Sequence, residues 1–136
     1  DLDAGPLRVV AAHLGLLRRS RALQAEAILA TICARSERPT LLVGDLNEWR
    51  HGDRSSLYSL DPHFGPLGAN LPTFPSRFPL FALDRILGNS PSLISGIAVH
   101  DTALARVASD HLPIKAWVDV AGAAPAFTPA HRELAA

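Results

Sequence analysis

Hydrophobic runs along this chain are short, and a polar cluster closes almost every one of them. Leu7–Ala12 (LRVVAA) is apolar enough for a buried strand and delivers His13 at its end. Ser20 is placed to cap a helix running to about Arg35, with Ala25, Ile28, Leu29 and Ile32 recurring on one face. Pro39 stops that helix, and Leu41–Val43 reads as a second strand broken by Gly44. Strand, helix and strand in this order predict an α/β fold.

Residues 50–80 lose the pattern. Ser55–Leu60 suits a helical turn, and the remainder is rich in Pro, Gly and Asn, as surface loops and site-covering segments are. Leu83–Leu87, Ile94–His100 and Ile114–Val120 read as later strands. The end, AGAAPAFTPAHRELAA, has little patterning and reads as a flexible tail over residues 121–136. No internal repeat is visible, so residues 1–120 read as one folded unit.

A chain of 136 residues can bury a real core. Its 48% apolar and 19% charged residues are the balance of a soluble globular protein. Thirteen basic and thirteen acidic residues cancel, which leaves no electrostatic footprint for non-specific nucleic-acid binding. Cys33 stands alone, which excludes an intramolecular disulfide and a Cys-rich zinc site. Set beside Ile28, Leu29 and Ile32, it reads as a buried helix residue and not as a nucleophile. No apolar run is long enough for a membrane span, and no signal peptide is visible. The chain starts at Asp1 and holds no Met, so it reads as part of something longer. A targeting segment would then lie upstream, and a cytoplasmic location is the default expectation.

Four polar clusters carry candidate chemistry. GDLN sets Asp45 and Asn47 two residues apart beyond a strand, where an extended segment turns both to the same side. A hard cation such as magnesium needs only one or two carboxylates because it keeps several waters. The same four residues are also ordinary loop chemistry, in which Asp and Asn cap turns. SDHLP places Asp110 beside His111 just before the last strand, so one could bind metal and the other act as a base near neutral pH. The bland alternative is an exposed turn closed by Pro113.

LDRIL carries Asp84 and Arg85 inside an apolar segment, where a carboxylate is costly unless paired. An orienting partner for a histidine would account for it, as would an edge strand facing water. His13 is a lone histidine at a strand end, a place where most histidines are structural. Arg18, Arg19 and Arg21 read as a solvated first helical turn, and Trp49 and Trp117 as packing residues. His51, His63, His100 and His131, in loop, strand-end or tail context, take no role. No nucleophile elbow, P-loop or dinucleotide fingerprint occurs.

Taken together, HLGL, LLVGDLNEW, TFPSRFPLFALDRIL and ASDHLP occur in an order that resembles the endonuclease/exonuclease/phosphatase superfamily, the DNase I-like metal-dependent phosphoesterases. The likeness runs from about Leu7 to Val120, and in texture the chain is similar to bacterial members of unassigned substrate. The resemblance implies a divalent-metal-dependent phosphoester hydrolase, using Mg2+ or Mn2+, that works by in-line water attack at phosphorus. It implies His111 as the base, Asp84 as its orienting carboxylate, and Asp45 at the nucleophile or the metal. Asn47 would hold a phosphate oxygen or a metal-bound water, Asp110 would serve the metal, and His13 would steady the phosphate or assist the leaving group.

Superfamily members are about twice this length and fold as a four-layer α/β sandwich. Their metal-binding glutamate and a first-strand asparagine lie in an N-terminal half that is absent here. The alternative expectation is therefore a non-catalytic remnant, or a split module completed by another polypeptide. The substrate class stays open between nucleic acid and phospholipid. The loop bearing Phe74, Phe78, Leu80 and Phe81 suits lipid contact or core packing. A purely nucleic-acid-binding module fits poorly, because the clusters are acidic where phosphate-binding surfaces are basic.

Overall fold

A computed structural model describes residues 6–34 and 38–123. Strand β1 (Arg8–Ala11) is followed by helix α1 (Arg18–Cys33) and strand β2 (Thr40–Asp45), and β1 and β2 pair in parallel. Parallel neighbours need a crossover, and α1 supplies it. Strand β3 (Asp84–Gly88) adds antiparallel to the other side of β2, giving the order β1-β2-β3. Strands β4 (Ile94–Val99) and β5 (Ile114–Val118) form a separate antiparallel pair. The molecule is thus α/β, as its patterning predicts.

The central strand β2 begins with Thr40, Leu41 and Leu42, all buried, because it has a strand on either side and α1 above it. Ala25 and Ile32 of α1 are buried there, with Ile28 and Leu29 partly so, which is the face the helical period predicts. Short 3-10 turns at Gly52–Arg54 and Tyr58–Leu60 lead into helix α2 (Asp61–Phe64). Leu57, Leu60, Phe64 and Leu67 from this region complete the core with Leu14, Leu42, Leu46 and Leu87. The irregular stretch therefore covers the core, and His63 sits within α2, not in a loop.

Several expectations need correction. Helix α1 starts at Arg18, and Ser20 is not its cap; Leu17 holds that place with no side-chain cap. The helix is anchored instead by Arg21, whose guanidinium takes the carbonyls of Gly15 and Leu16. Cys33 is exposed, being about 100° round the helix from buried Ile32. Gly44 does not break β2. It lies inside the strand at φ 133°, where a Cβ would sit 1.9 Å from the Ala12 carbonyl oxygen.

Trp49 and Trp117 are exposed, as are Phe78, Leu80 and Phe81, so core packing does not explain these five residues. Trp117 points outward on β5 and packs over Gly96 of β4. Arg35 and residues 124–136 of the expected tail, His131 included, lie outside the described residues. Among the described residues no helix is long and apolar enough to cross a membrane.

Candidate active site

The site is built where β2 ends and β3 begins. Asp45, the last residue of β2, pairs in register with Asp84, the first of β3. Cross-strand partners present their side chains to one face, and like charges so placed repel. His111, on the segment between helix α3 (Ala105–Ala108) and β5, lies against both. Its Nδ1 is 2.8 Å from Asp84 Oδ2 and its Nε2 is 3.9 Å from Asp45 Oδ2. An ionised carboxylate can only accept, so Nδ1 carries the proton and Nε2 is the free nitrogen of the neutral ring.

Neighbouring segments hold this imidazole in place. Thr73 Oγ1 donates to the same Asp84 oxygen, while the Leu112 N–H donates to the Thr73 carbonyl. The Ser76 N–H donates to the Asp110 carbonyl, and the Phe74 ring lies 4.8 Å from the imidazole centroid. Burial disfavours the imidazolium, but the hydrogen bond with Asp84 and the charges of Asp84, Asp45 and Asp110 outweigh it. The His111 pKa is consequently raised above its ordinary value of 6.5.

Asp45 has further partners. His13 Nε2 lies 3.5 Å from Asp45 Oδ2, on a side chain that is 78% exposed. The Leu14 N–H donates to the Asp45 carbonyl, which ties the His13 segment to the end of β2. Asn47 faces the same space as Asp45, though not by strand alternation. It adopts φ 51°, donates its backbone N–H to Asp45 Oδ1, and gives Nδ2 to the Leu14 carbonyl. That arrangement leaves its carboxamide oxygen as the atom to offer a ligand. Turn chemistry and site geometry are here the same structure.

Beneath this loop is a buried ionic cluster. Glu48 is fully buried and accepts from the Ser56 hydroxyl and N–H and from the Arg50 N–H, with Arg21 Nη2 3.4 Å away. Arg21 also donates through Nε to Ser56 Oγ. The solvated-turn reading therefore fails for Arg21, although Arg18 and Arg19 are exposed. Its position four residues before Ala25, on the apolar face, was the signal that it faces inward. Arg85 is buried as well, donating to the Ala69 carbonyl, so the water-facing reading of the LDRIL segment does not hold for it. Burial lowers its pKa despite the nearby charges of Asp84 and Glu48.

One cavity of about 670 Å³ gathers these groups. His13, Asp45, Asn47, Asp84, Asp110 and His111 all line it. Leu16, Trp49, Phe74, Phe81, Leu83 and Ser109 line it too; of these, sequence reading assigns a candidate contact role only to Phe74 and Phe81, as part of a lipid-contacting loop. Among the described residues no group of three or more His, Cys, Asp or Glu side chains is arranged to hold a metal ion. Asp45, Asp110 and Asn47 are oxygen donors in the small number that suits a hard cation keeping its waters.

A model of the endonuclease/exonuclease/phosphatase family matches residues 3–111. Among curated proteins, the chain is similar to "Uncharacterized protein YbhP" of Escherichia coli K12 and of Shigella flexneri, at 32% identity over 117 residues. The match covers 82% of this chain and 46% of each relative, so the chain spans about half the length of these relatives. No solved structure matches the chain.

Proposed function

Since this chain belongs to the endonuclease/exonuclease/phosphatase family, whose members are generally hydrolases, we propose that it carries the water-activating part of a divalent-metal-dependent phosphoester hydrolase. The observation that carries this reading is the Asp84–His111–Asp45 arrangement at the floor of an open cavity. Asp84 fixes the tautomer that leaves Nε2 free, and the Nε2 lone pair takes a proton from water as its oxygen attacks phosphorus in line. The new P–O bond forms as the bond to the leaving oxygen breaks. The resulting imidazolium is stabilised by the carboxylates of Asp84 and Asp45 on either side.

Asn47 offers its carboxamide oxygen to a ligand, and exposed His13 is free to approach a phosphate oxygen or the leaving group. Magnesium or manganese, held by Asp45 and Asp110 with Asn47, would supply positive charge against the phosphate oxygens. In this reading the chain forms one half of a four-layer α/β sandwich.

A second reading is a module whose site is completed by another polypeptide segment. It is favoured by a donor set with fewer than three ionisable metal ligands among the described residues and by coverage of 46% of the relatives. Hydrolysis of a phosphodiester in 18O-labelled water separates the two. Label in the phosphate product, lost in His111→Ala, supports hydrolysis at this site. A folded chain that incorporates label only after addition of an N-terminal segment supports the second.

A further inference from the structure

The chemistry of the cavity accounts for only half of its wall. Beside the carboxylates and imidazoles the lining includes Leu16, Trp49 and Phe81, which are 82%, 45% and 42% exposed. Large aromatic side chains left open to water inside a concavity form a surface that a ligand or a further polypeptide segment can cover, and the ring geometry here favours a ligand. We propose that this wall is the subsite for the ester group of the substrate, and that the group is a flat ring. On this view the substrate is a low-molecular-weight aryl phosphoester. This rests on the hydrolase reading for its phosphate end and deepens it for the other.

The ring geometry favours a planar occupant. The Trp49 and Phe81 centroids are 5.8 Å apart with planes inclined at 59°, so together they form a corner that offers one face and one edge. A flat ring can stack offset on one and meet the other edge-to-face, the two arrangements aromatic pairs prefer. Arg50 holds Trp49 in place, with its Cζ 4.6 Å from the ring centroid and Nη1 3.7 Å from buried Glu48 Oε1. The corner is therefore pre-formed. Phe74, already against His111, continues the apolar surface back to the reacting centre.

Charge argues against a polynucleotide. Flanking phosphates are met by lysine and arginine, and none of either lines the cavity among the described residues. A lipid chain is less suited as well. Phe78 and Leu80, the most exposed apolar side chains of the neighbouring loop, do not line the cavity. A volume of about 670 Å³ is that of a pocket for one small molecule.

The test reads binding and not turnover. Phenyl phosphate, n-hexyl phosphate and inorganic phosphate are titrated in magnesium-containing buffer into a Trp117→Phe chain, so that Trp49 alone reports by fluorescence. Phenyl phosphate should bind at least tenfold tighter than inorganic phosphate and several-fold tighter than n-hexyl phosphate. Trp49→Ala and Phe81→Ala, followed by calorimetry, should abolish that preference, and Trp49→Phe should keep most of it. Equal binding of the hexyl and phenyl esters overturns the proposal, as does a preference that survives both alanine variants or no binding by any probe. Tighter, steeply salt-dependent binding of a short thymidine oligonucleotide overturns it in favour of nucleic acid. Phosphatidylcholine vesicle binding lost in Phe78→Ser, with no aryl preference, overturns it in favour of lipid. A chain that stays inert even with an added N-terminal segment but keeps the aryl preference would remove the hydrolase reading and leave the subsite standing.

Discussion

Asp45 and Asp84 stand directly opposite each other across the antiparallel ladder of β2 and β3. Two carboxylates in that position repel, and a fold under no other demand would place one of them elsewhere. Here the imidazole of His111 meets both, with Asp84 as the close partner at 2.8 Å. The cost of the pair is offset by a group whose charge can change near neutral pH, which is what a proton-transfer site requires.

The first prediction concerns that charge. In the metal-free protein the His111 imidazole should titrate above 6.5, and Asp84→Asn should bring its midpoint down. A raised folded-state pKa stabilises the fold fully below the unfolded value and loses that contribution as pH rises through the folded one. With His111 as the proposed base, turnover should run the other way, increasing with pH as the ring becomes neutral. Imidazole NMR titration checks the claim, and a midpoint at or below 6.5 would be inconsistent with it.

Removing the proposed base should separate activity from stability. His111→Ala is expected to lower kcat by about 10²–10⁴, with only a modest fall in thermal midpoint above the folded-state pKa of the ring, where the imidazolium no longer offsets the two carboxylates. Asp84→Asn should cost less, through lost orientation and weaker imidazolium stabilisation. Steady-state kinetics beside thermal unfolding would decide. Equal activity in the wild type and His111→Ala would rule out the base assignment.

Arg21 and Glu48 should matter to folding. Arg21→Met removes the buried one of the two guanidinium groups beside Glu48, leaving only the half-exposed Arg50, and should destabilise by about 3 kcal/mol. Arg21→Met with Glu48→Gln should recover part of that loss. Burial raises the Glu48 pKa, but hydrogen bonds from Ser56 and Arg50 and the charge of Arg21 overcome it, leaving a net lowering from 4.5. Its contribution is therefore present above 4.5 and lost as pH falls further. Urea unfolding at several pH values would expose a neutral role as a flat profile.

Gly44→Ala tests the joint between β1 and the site. A positive φ in a non-glycine residue costs about 1–3 kcal/mol, and the new Cβ would collide with the Ala12 carbonyl oxygen. Because Asp45 follows directly, activity should fall along with stability. A variant with an unchanged unfolding midpoint would show that the strand relaxes freely there.

Much of this arrangement was legible in the order of the residues. Polar groups at the ends of apolar runs are carried to the ends of strands, and His13, Asp45, Asn47 and Asp84 from the β1-β2-β3 sheet meet Asp110 and His111 from the segment before β5 in one cavity. What could not be read was the pairing. Periodicity places a residue on a face of its own strand and says nothing of which strand lies beside it, so the Asp45–Asp84 register and the Thr73–Asp84 bond were hidden. Arg21 was misplaced because a charged side chain was assigned to water, when a buried carboxylate was waiting for it. Trp49 was misplaced for the opposite reason: apolar bulk was assigned to packing, and the cavity holds it open; for Phe81 only the core-packing alternative fails. Gly44 read as a strand breaker because its effect depends on the close approach of Ala12.

The most direct measurement is hydrolysis of bis-(p-nitrophenyl) phosphate by the 136-residue chain, with and without magnesium or manganese, beside Asp45→Ala and His111→Ala. Metal-dependent turnover that is lost in both variants is the predicted result. Turnover that persists in either variant, or a folded chain that shows none with either metal, would contradict the account.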